Sequence, residues 1–374
     1  MKFVVSSLEL LSHLQAISRV ITTKSPYPVL ECFLFELQDN KLNITASDIE
    51  VTMTTSIEVE VLESGNKVAM PSKMLLDALK NFSEQPLTFN ILEEDQNVEI
   101  TSERGNFKLV AQPGEDYPSV PEIDEDKSNK MQVPSSMLLQ GINKTIFATA
   151  EDDLRPVMNG ILMELNNDNL TFVASDSHKL VRYRRYDFKN DIVASFILAK
   201  KPALLLKSVL PREVGDVIVE FDQKNAFFKL PNYNLVCRLV EGNYPAYSTV
   251  IPQDNPYKTV IDRVDFANKI KLVAVFANET SNLLKLEFVE NKVTISAQDL
   301  DFSHFGQEEL NCQFEGENME IGFKAAFLAD IVDNLSSTDI VLEMSTPSRA
   351  ALVLPLQKND NEDELMLLMP MMIN

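Results

Sequence analysis

The sequence has few of the residues that cofactor and metal sites usually need. Only ten of its 374 residues are glycine, and the nearest two, Gly316 and Gly322, lie six apart. No pair has the G-x-G-x-x-G or G-x-x-x-x-G-K spacing that lets a backbone cradle phosphate. The three histidines, His13, His178 and His304, are not spaced as metal ligands. We therefore expect neither a cofactor nor a metal ion.

Cysteine is also scarce, and long hydrophobic runs are missing. Cys32, Cys237 and Cys312 lie far apart without C-x-x-C spacing, which argues against a disulfide framework or a zinc site. Three free thiols in a reducing cytoplasm are expected. No apolar run approaches the roughly 20 residues that span a bilayer. The opening segment, "MKFVVSSLELLSHLQ", is interpreted as folded structure and not as a signal peptide, so we expect no contact with a membrane.

The sequence does contain one segment, the repeated phrase, in three similar copies. "FELQDNKLNITASD" (35–48), "MELNNDNLTFVASD" (163–176) and "LEFVENKVTISAQD" (286–299) align without gaps, and each ends in Asp. Each predicts a β-hairpin with an Asn- and Asp-rich turn. The terminal Asp is a turn former, because its carboxylate can accept bonds from nearby backbone N–H groups. The offsets, 176 − 48 = 128 and 299 − 176 = 123, indicate domain-sized repeats.

Two helices are predicted in each repeat. Apolar residues spaced by three and four indicate short helices at 70–81, 199–210 and 323–334, and further helices near the start of each repeat at 7–23, 136–150 and 265–278. Polar or proline-containing linkers separate the repeats. We therefore expect an α+β fold of three similar domains, 1–129, 130–253 and 254–374, each with two helices packed on antiparallel sheets.

The charge distribution bears on nucleic-acid binding. Lys and Arg number 34 against 56 Asp and Glu, which gives a formal net charge of −22. That sum alone argues against a nucleic-acid binder, because phosphate contacts dominate such affinity. Most of the predicted helices nevertheless carry more basic than acidic residues, the exception being 323–334, while acidic residues concentrate in turns and linkers. If the helical sides face a common interior, the phosphate backbone would be bound there without base specificity.

One short motif could suggest catalysis. In "SDSHKL" (175–180), Asp176 and His178 have the residue types of an acid–base pair. Asp176, however, has counterparts at Asp48 and Asp299, so a turn is the preferred interpretation and no catalytic residue is expected. A hydrolase stays a distant alternative. The nearer alternative is a three-domain scaffold or binding protein without a DNA role.

Several motifs together resemble a known family. They are "RPVMNGILMEL" (155–165), "SDSHKL", "VEGNYPAYSTVIP" (240–252) and the terminal "LMLLMPMMIN" (365–374), within a chain of three repeats. In these features the sequence resembles the bacterial sliding clamps, the β subunits of DNA polymerase III. The resemblance implies a non-catalytic processivity factor, a head-to-tail homodimer closed into a ring around duplex DNA. It also implies protein partners, namely a clamp-loader ATPase, the replicative polymerase and other proteins that carry short binding motifs.

The resemblance and the helix charges together give candidate sites. DNA-facing positions that match the family are Lys24, Lys73, Lys80 and Lys201, and the basic helices add Lys144, Lys200, Lys207, Lys269 and Lys271. The dimer seam resembles the family at Phe107 and Leu109 on the first domain and at Val275 and Phe276 on the third. The matching partner pocket comprises Met158, Ser175, Ser177, His178, Lys179, Leu180, Pro245, Thr249, Val250, Leu367, Leu368, Met369, Pro370, Met371 and Met372.

Two positions and one loop depart from the family pattern. Ser177 stands where the family more often has Gly, and Met372 stands where Arg is frequent. In the family, the loop before the "NG" motif meets DNA with polar and aromatic residues, whereas here it reads "EDDLRPV" (151–157), with Asp152, Pro156 and Val157. Met is flexible and polarizable, so a Met-lined groove can accept different short apolar peptides. We expect the departures to change peptide preference and that loop's DNA contact.

Overall fold

The computed structural model describes residues 1–22, 25–92, 95–123, 128–152 and 154–373. In that part of the chain it contains six α-helices, two in each repeat, as predicted: α1 (Ser7–Ile17), α2 (Ser72–Leu79), α3 (Ser135–Thr145), α4 (Lys200–Val209), α5 (Arg263–Ala274) and α6 (Ala325–Asn334). The helices that open the repeats end earlier than expected. In α1 and α3 the last predicted turn is a 3₁₀ turn, at Ser18–Val20 and Ile146–Ala148.

The other regular elements are 27 short strands within the described residues. In chain order they are β1 (Lys2–Ser6), β2 (Cys32–Gln38), β3 (Lys41–Ser47), β4 (Val51–Glu58), β5 (Glu60–Glu63), β6 (Val68–Pro71), β7 (Pro86–Leu92), β8 (Asn97–Thr101), β9 (Asn106–Val110), β10 (Gln112–Pro113), β11 (Asn129–Pro134), β12 (Gly160–Asn166), β13 (Asn169–Ser175), β14 (Lys179–Arg185), β15 (Ala194–Ala199), β16 (Asp216–Phe221), β17 (Asn225–Lys229), β18 (Tyr233–Arg238), β19 (Tyr257–Asp262), β20 (Leu283–Val289), β21 (Lys292–Asp299), β22 (His304–Asn311), β23 (Gln313–Glu315), β24 (Met319–Lys324), β25 (Asp339–Met344), β26 (Ala351–Pro355) and β27 (Glu362–Leu368).

These elements form two compact units, each with two antiparallel sheets. The first unit, Met1–Leu139 with Leu204–Leu239, has a five-stranded sheet ordered β5-β1-β7-β8-β9. Its second sheet has nine strands, ordered β10-β6-β2-β3-β4-β18-β17-β16-β11. The pairing of β4 with β18 joins the first repeat to strands of the second, so one sheet continues across a repeat boundary.

The second unit, Gln140–Ala203 with Val240–Asn374, repeats this arrangement. Its nine-stranded sheet is ordered β15-β12-β13-β14-β27-β26-β25-β19-β23, and its four-stranded sheet is ordered β22-β21-β20-β24. Strand β27, near the end of the chain, pairs with β14 of the central repeat over its full length. The α+β class is confirmed. In the described residues no helix is long and apolar enough to cross a membrane.

The repeated phrase forms the same hairpin three times, as β2–β3, β12–β13 and β20–β21. Its terminal Asp closes the turn that follows. Asp48 Oδ1 accepts from the N–H groups of residues 50 and 51 (3.1 and 2.7 Å). Asp176 Oδ1 does the same for residues 178 and 179 (2.9 and 2.8 Å), and Asp299 Oδ1 for residues 301 and 302 (2.9 and 3.3 Å). The phrase is therefore a turn-forming scaffold.

The three cysteines are free and buried, as predicted. Burial raises the pKa of the Cys32 and Cys312 thiols to about 11 and that of Cys237 to about 12. A thiol reacts as its thiolate, so these side chains are held in the unreactive form at neutral pH.

Candidate docking pocket and helix lysines

A cavity of about 290 Å³ lies in the second unit. It is bounded by the turn after β13, by residues 244–250 (the rim loop) and by the chain just after β27. Ten of the fifteen predicted pocket residues line it: Met158, Ser175, Ser177, His178, Lys179, Leu180, Pro245, Val250, Leu367 and Met369. Its floor is a buried apolar cluster that includes Leu162, Leu180 and Leu367. The cavity is therefore suited to apolar side chains.

The turn after β13 forms one wall. The Ser175 hydroxyl donates to the carbonyl of Lys179 (2.9 Å), and Ser177 has a φ of 75°. That left-handed conformation favours glycine because it has no Cβ, which explains why glycine suits this position. The Lys179 ammonium lies 3.1 Å from Asp176 and 3.3 Å from Asp330. Its charge is neutralised within the protein.

The helix α6 supports this wall from the side. The ring of Phe327 lies 4.4 Å from the Lys179 ammonium and stacks on the ring of His178, with centroids 5.7 Å apart. Asp176 uses one carboxylate oxygen for the turn and the other for Lys179. In the described residues no hydrogen bond joins the Asp176 carboxylate to the His178 ring, so the structure gives no support to the hydrolase alternative.

The rim loop forms the opposite wall and contributes three residues that the sequence reasoning missed: Tyr244, Ala246 and Tyr247. The Tyr247 hydroxyl donates to Glu164 Oε2 (2.5 Å). Burial, followed by this bond, raises the pKa of Tyr247 to about 12. The signal that could have identified these residues is the segment "NYPAY", in which they flank the predicted Pro245. Thr249 lies in the same turn and donates to the carbonyl of Ala246 (2.8 Å).

The end of the chain divides between the cavity, the core and a second groove. Alternation along β27 points Leu367 to the cavity and Leu368 into the hydrophobic core, where it is fully buried. The Met369 N–H then donates to the carbonyl of His178, and that of Met371 to the carbonyl of Gly322, each over 2.8 Å. Met371 and Met372 line a separate, open groove of about 590 Å³. Pro370, between Met369 and Met371, is half-buried.

The predicted DNA-facing lysines are mostly paired with carboxylates. Lys24 lies outside the described residues. Within the described residues, Lys73 and Lys207 are exposed and form no ion pair, and Lys201 is half-buried. The pairs are Lys80–Asp77 (3.1 Å), Lys200–Glu151 (2.5 Å), Lys271–Asp333 (2.8 Å) and Lys269–Glu308. Exposed pairs of this kind contribute little stability, so these lysines can exchange a carboxylate for another anion.

Lys144 differs from the other helix lysines because it is enclosed. Its ammonium donates to the Glu364 carboxylate (3.0 Å), to the Ser336 hydroxyl (3.1 Å) and to the carbonyl of Asn334 at the end of α6 (3.4 Å). Only 18% of the side chain is exposed. A lysine held by three protein oxygens has no donor directed to solvent, so we assign it a structural role.

The predicted seam residues lie beside strands at the edges of their sheets. In the first unit, Phe107 on the edge strand β9 is 45% exposed and packs edge-on against Phe82, whereas Leu109 is buried. In the second unit, Val275 is 76% exposed, and Phe276 packs against Gly306 on the edge strand β22. Exposed apolar groups beside an unpaired strand edge favour association with another chain.

Fold and cavity together define a protein of three α+β repeats with a preformed apolar cavity. Residues 1–121, 132–246 and 248–372 match, in order, the N-terminal, central and C-terminal domains of the DNA polymerase III beta subunit. The chain belongs to the DNA polymerase III beta subunit family.

Known relatives and solved structures agree with this assignment. The chain is 25% identical to the beta sliding clamp of Vibrio cholerae over 99% of both chains, and 26% identical to that of Pseudomonas aeruginosa over 99% of this chain and all of the relative. A crystal structure of the P. aeruginosa sliding clamp bound to griselimycin superposes with a TM-score of 0.92 at 25% identity over the full length of both chains.

Proposed function

We propose that the protein is a DNA sliding clamp, a non-catalytic cytoplasmic ring that encircles duplex DNA and tethers polymerases to it. The observation that carries this proposal is the succession of three beta-subunit domain matches along one chain, whose relatives are named beta sliding clamps. The expected domain bounds, 1–129, 130–253 and 254–374, are part of the proposal. The competing idea of a scaffold without a DNA role gives no reason for lysine-bearing helices.

The ring would form from two copies joined head to tail. Two features support this arrangement: each unit has an unpaired edge strand, β9 in the first and β22 in the second, with exposed apolar side chains beside it. Phe107 and Leu109 of one copy would meet Val275 and Phe276 of the other. Burying such groups is an ordinary way to hold an obligate interface.

Contact with DNA would be weak and independent of sequence. The proposed phosphate contacts are Lys24, Lys73, Lys80, Lys200, Lys201, Lys207, Lys269 and Lys271. Four of these lysines already have a carboxylate partner, so at those four a phosphate contact would replace an existing ion pair. Retention would come from the closed ring, and this weak binding would let the protein slide.

Partner proteins would bind through the pocket of the second unit. Its apolar floor, its Met158 and Met369 side chains and its preformed walls support the docking of a short apolar peptide segment. The clamp-loader ATPase and the polymerases would then compete for this pocket by short motifs. No cofactor is needed for this activity.

The test is topological. The protein is loaded by a clamp-loader ATPase with ATP onto nicked circular DNA, and half of the sample is then linearised by a restriction enzyme. At moderately high salt, the clamp is expected to stay on the circle and to run off the linear DNA. Ordinary phosphate binding weakens equally on both forms as salt rises. Equal loss from circular and linear DNA would reject encirclement.

A further inference from the structure

The rim loop is joined to the sheet beneath it by one hydrogen bond that crosses the edge of the pocket. The Tyr247 ring lines the cavity, while its hydroxyl reaches Glu164 on β12 (2.5 Å). Glu164 lies on the opposite face of the strand from its neighbours Met163 and Leu165, which are buried. The same side chain thus forms pocket wall and anchor.

The internal repeats show that this bond is special to the central domain. Glu164 aligns with Glu36 and Glu287, which sit at the same place in the other two hairpins. Glu36 instead pairs with Lys67 (3.2 Å), and Glu287 lies opposite Glu320 in the sheet register. The same backbone position therefore contacts a rim tyrosine only in the repeat that carries the pocket, among the described residues.

Tyr247, the partner of Glu164, also has no equivalent tyrosine in the first repeat. The segments "GEDYPS" (114–119) and "GNYPAY" (242–247) share a Tyr-Pro pair, so Tyr117 aligns with Tyr244. Both tyrosines are enclosed, and burial raises the pKa of each. Three residues further on, Tyr247 aligns with Val120, which has no hydroxyl and is 39% exposed. The first repeat keeps the enclosed tyrosine but lacks the second one.

We propose that the Glu164–Tyr247 hydrogen bond is a latch that holds the rim loop in the conformation competent to bind partner peptides. This inference rests on the proposed docking function and deepens it, since it identifies two positioning residues for the pocket. A charge-assisted hydrogen bond is stronger than a neutral one. A wall fixed before binding spares the peptide the cost of ordering it.

Two arginines near the Glu164–Tyr247 hydrogen bond also affect its strength. Arg184 donates through Nε to Thr171 (2.9 Å), and its guanidinium lowers the pKa of Tyr247, against the larger effect of burial. Arg182 is paired with Asp363 (2.5 Å). Both cations oppose the rise in the pKa of Tyr247, which makes its hydroxyl a stronger donor to Glu164.

The experiment measures peptide affinity in full-length variants. The probe is a fluorescein-labelled hexapeptide that contains one leucine and one phenylalanine, and its binding is followed by fluorescence anisotropy. Tyr247→Phe and Glu164→Ala are each expected to weaken binding about tenfold, because each removes the bond while leaving the pocket's apolar surface. Glu164→Gln keeps an acceptor oxygen and should restore most of the affinity.

A double-mutant cycle and a matched control separate positioning from general stability. Because both changes remove the same bond, Glu164→Ala with Tyr247→Phe should be no weaker than either alone. Glu36→Ala, at the aligned position of the first repeat, should leave peptide affinity unchanged. Thermal midpoints of all variants, measured in parallel, should stay close to the wild-type value even where the peptide affinity falls.

The outcomes are distinguishable. Wild-type affinity in Tyr247→Phe, or losses that add in the double variant, would overturn the latch while leaving the docking function intact. Equal weakening by Glu36→Ala would also overturn it. A wild-type protein that fails to bind the peptide at all would reject the docking pocket itself, and the latch with it.

Discussion

At the scale of single residues, the structural role of the Asp that ends each hairpin follows most directly from the sequence. Asp48, Asp176 and Asp299 each accept two backbone N–H groups with one carboxylate oxygen. The sequence could predict this because the turn preference of Asp is local chemistry. The structural role of the repeated phrase can therefore be inferred from its residues alone.

The first prediction concerns Asp48. Asp48→Ala removes the acceptor for the N–H groups of Glu50 and Val51, so both amides should exchange with solvent about five- to tenfold faster, the equivalent of about 1 kcal/mol. Hydrogen exchange followed by mass spectrometry or NMR measures this. Asp48→Asn is the matched control, since it keeps an acceptor oxygen and should show a smaller effect. Unchanged exchange in Asp48→Ala would show that the carboxylate does not hold the turn.

Other residues could not be placed from the sequence. Nothing local says that Tyr247 lines a cavity, because its partner Glu164 lies 83 positions away. The resemblance assigns both Leu367 and Leu368 to the pocket, yet adjacent residues of a strand point to opposite faces. That alternation follows from the sequence once the segment is recognised as a strand. Lys144 has the sequence context of any helix lysine, and only the fold encloses it with Glu364 and Ser336.

At the scale of elements, helices and hairpins were predictable, but the joining of the repeats was not. Periodicity of 3.6 or 2 is a local signal, and it gave the six helices and three hairpins. The pairs β4–β18 and β14–β27 connect segments more than 170 residues apart. No local pattern encodes such pairing. The helix ends were also missed, because the last predicted turn of α1 and α3 is a 3₁₀ turn.

Several pairs of opposite charge lie along the paired strands β14 and β27. Arg182 pairs with Asp363 (2.5 Å), Arg185 lies 3.6 Å from Glu362, and Lys144 of α3 meets Glu364 (3.0 Å). Glu364 is the most enclosed of these carboxylates, with 7% of its side chain exposed. Burial raises the pKa of Glu364 above its usual 4.5, although the Lys144 ammonium opposes the shift.

The second prediction follows from the sign of that shift. A carboxyl whose folded pKa is raised contributes stability below its unfolded pKa of 4.5, and that contribution is lost as pH rises through the folded pKa. Relative to Glu364→Gln, which does not titrate, the wild type should therefore lose stability as pH increases from about 4.5. Thermal midpoints of both proteins across a pH series measure this difference. Parallel curves for the wild type and Glu364→Gln would contradict the assigned shift of the Glu364 pKa.

At the scale of the whole molecule, net charge and DNA binding are compatible. The chain carries −22 overall, and carboxylates pair with most of the proposed DNA-facing lysines that the structure describes. Simple electrostatic binding would therefore be weak. A clamp that is retained by its closed shape needs only weak contacts, so the same features that argue against a conventional DNA binder fit a sliding one.

The third prediction tests the head-to-tail seam. Phe107→Asp and Val275→Asp each place a carboxylate at the proposed interface, where an unpaired charge is costly to bury, so each should weaken dimerisation at least about a hundredfold. Light scattering should then report one chain of 42.2 kDa instead of two. Val214→Asp, at a 91% exposed site outside the seam, should leave the dimer unchanged.

Mixing the two variants distinguishes a head-to-tail seam from a symmetric one. In a head-to-tail ring, both seams of either variant contain one altered side, so each variant alone is monomeric. A mixed pair combines the two alterations in a single seam and leaves the other fully wild type, so mixing should restore an open dimer. If β9 instead paired with β9 of the second copy, Val275→Asp would stay dimeric and mixing would restore nothing.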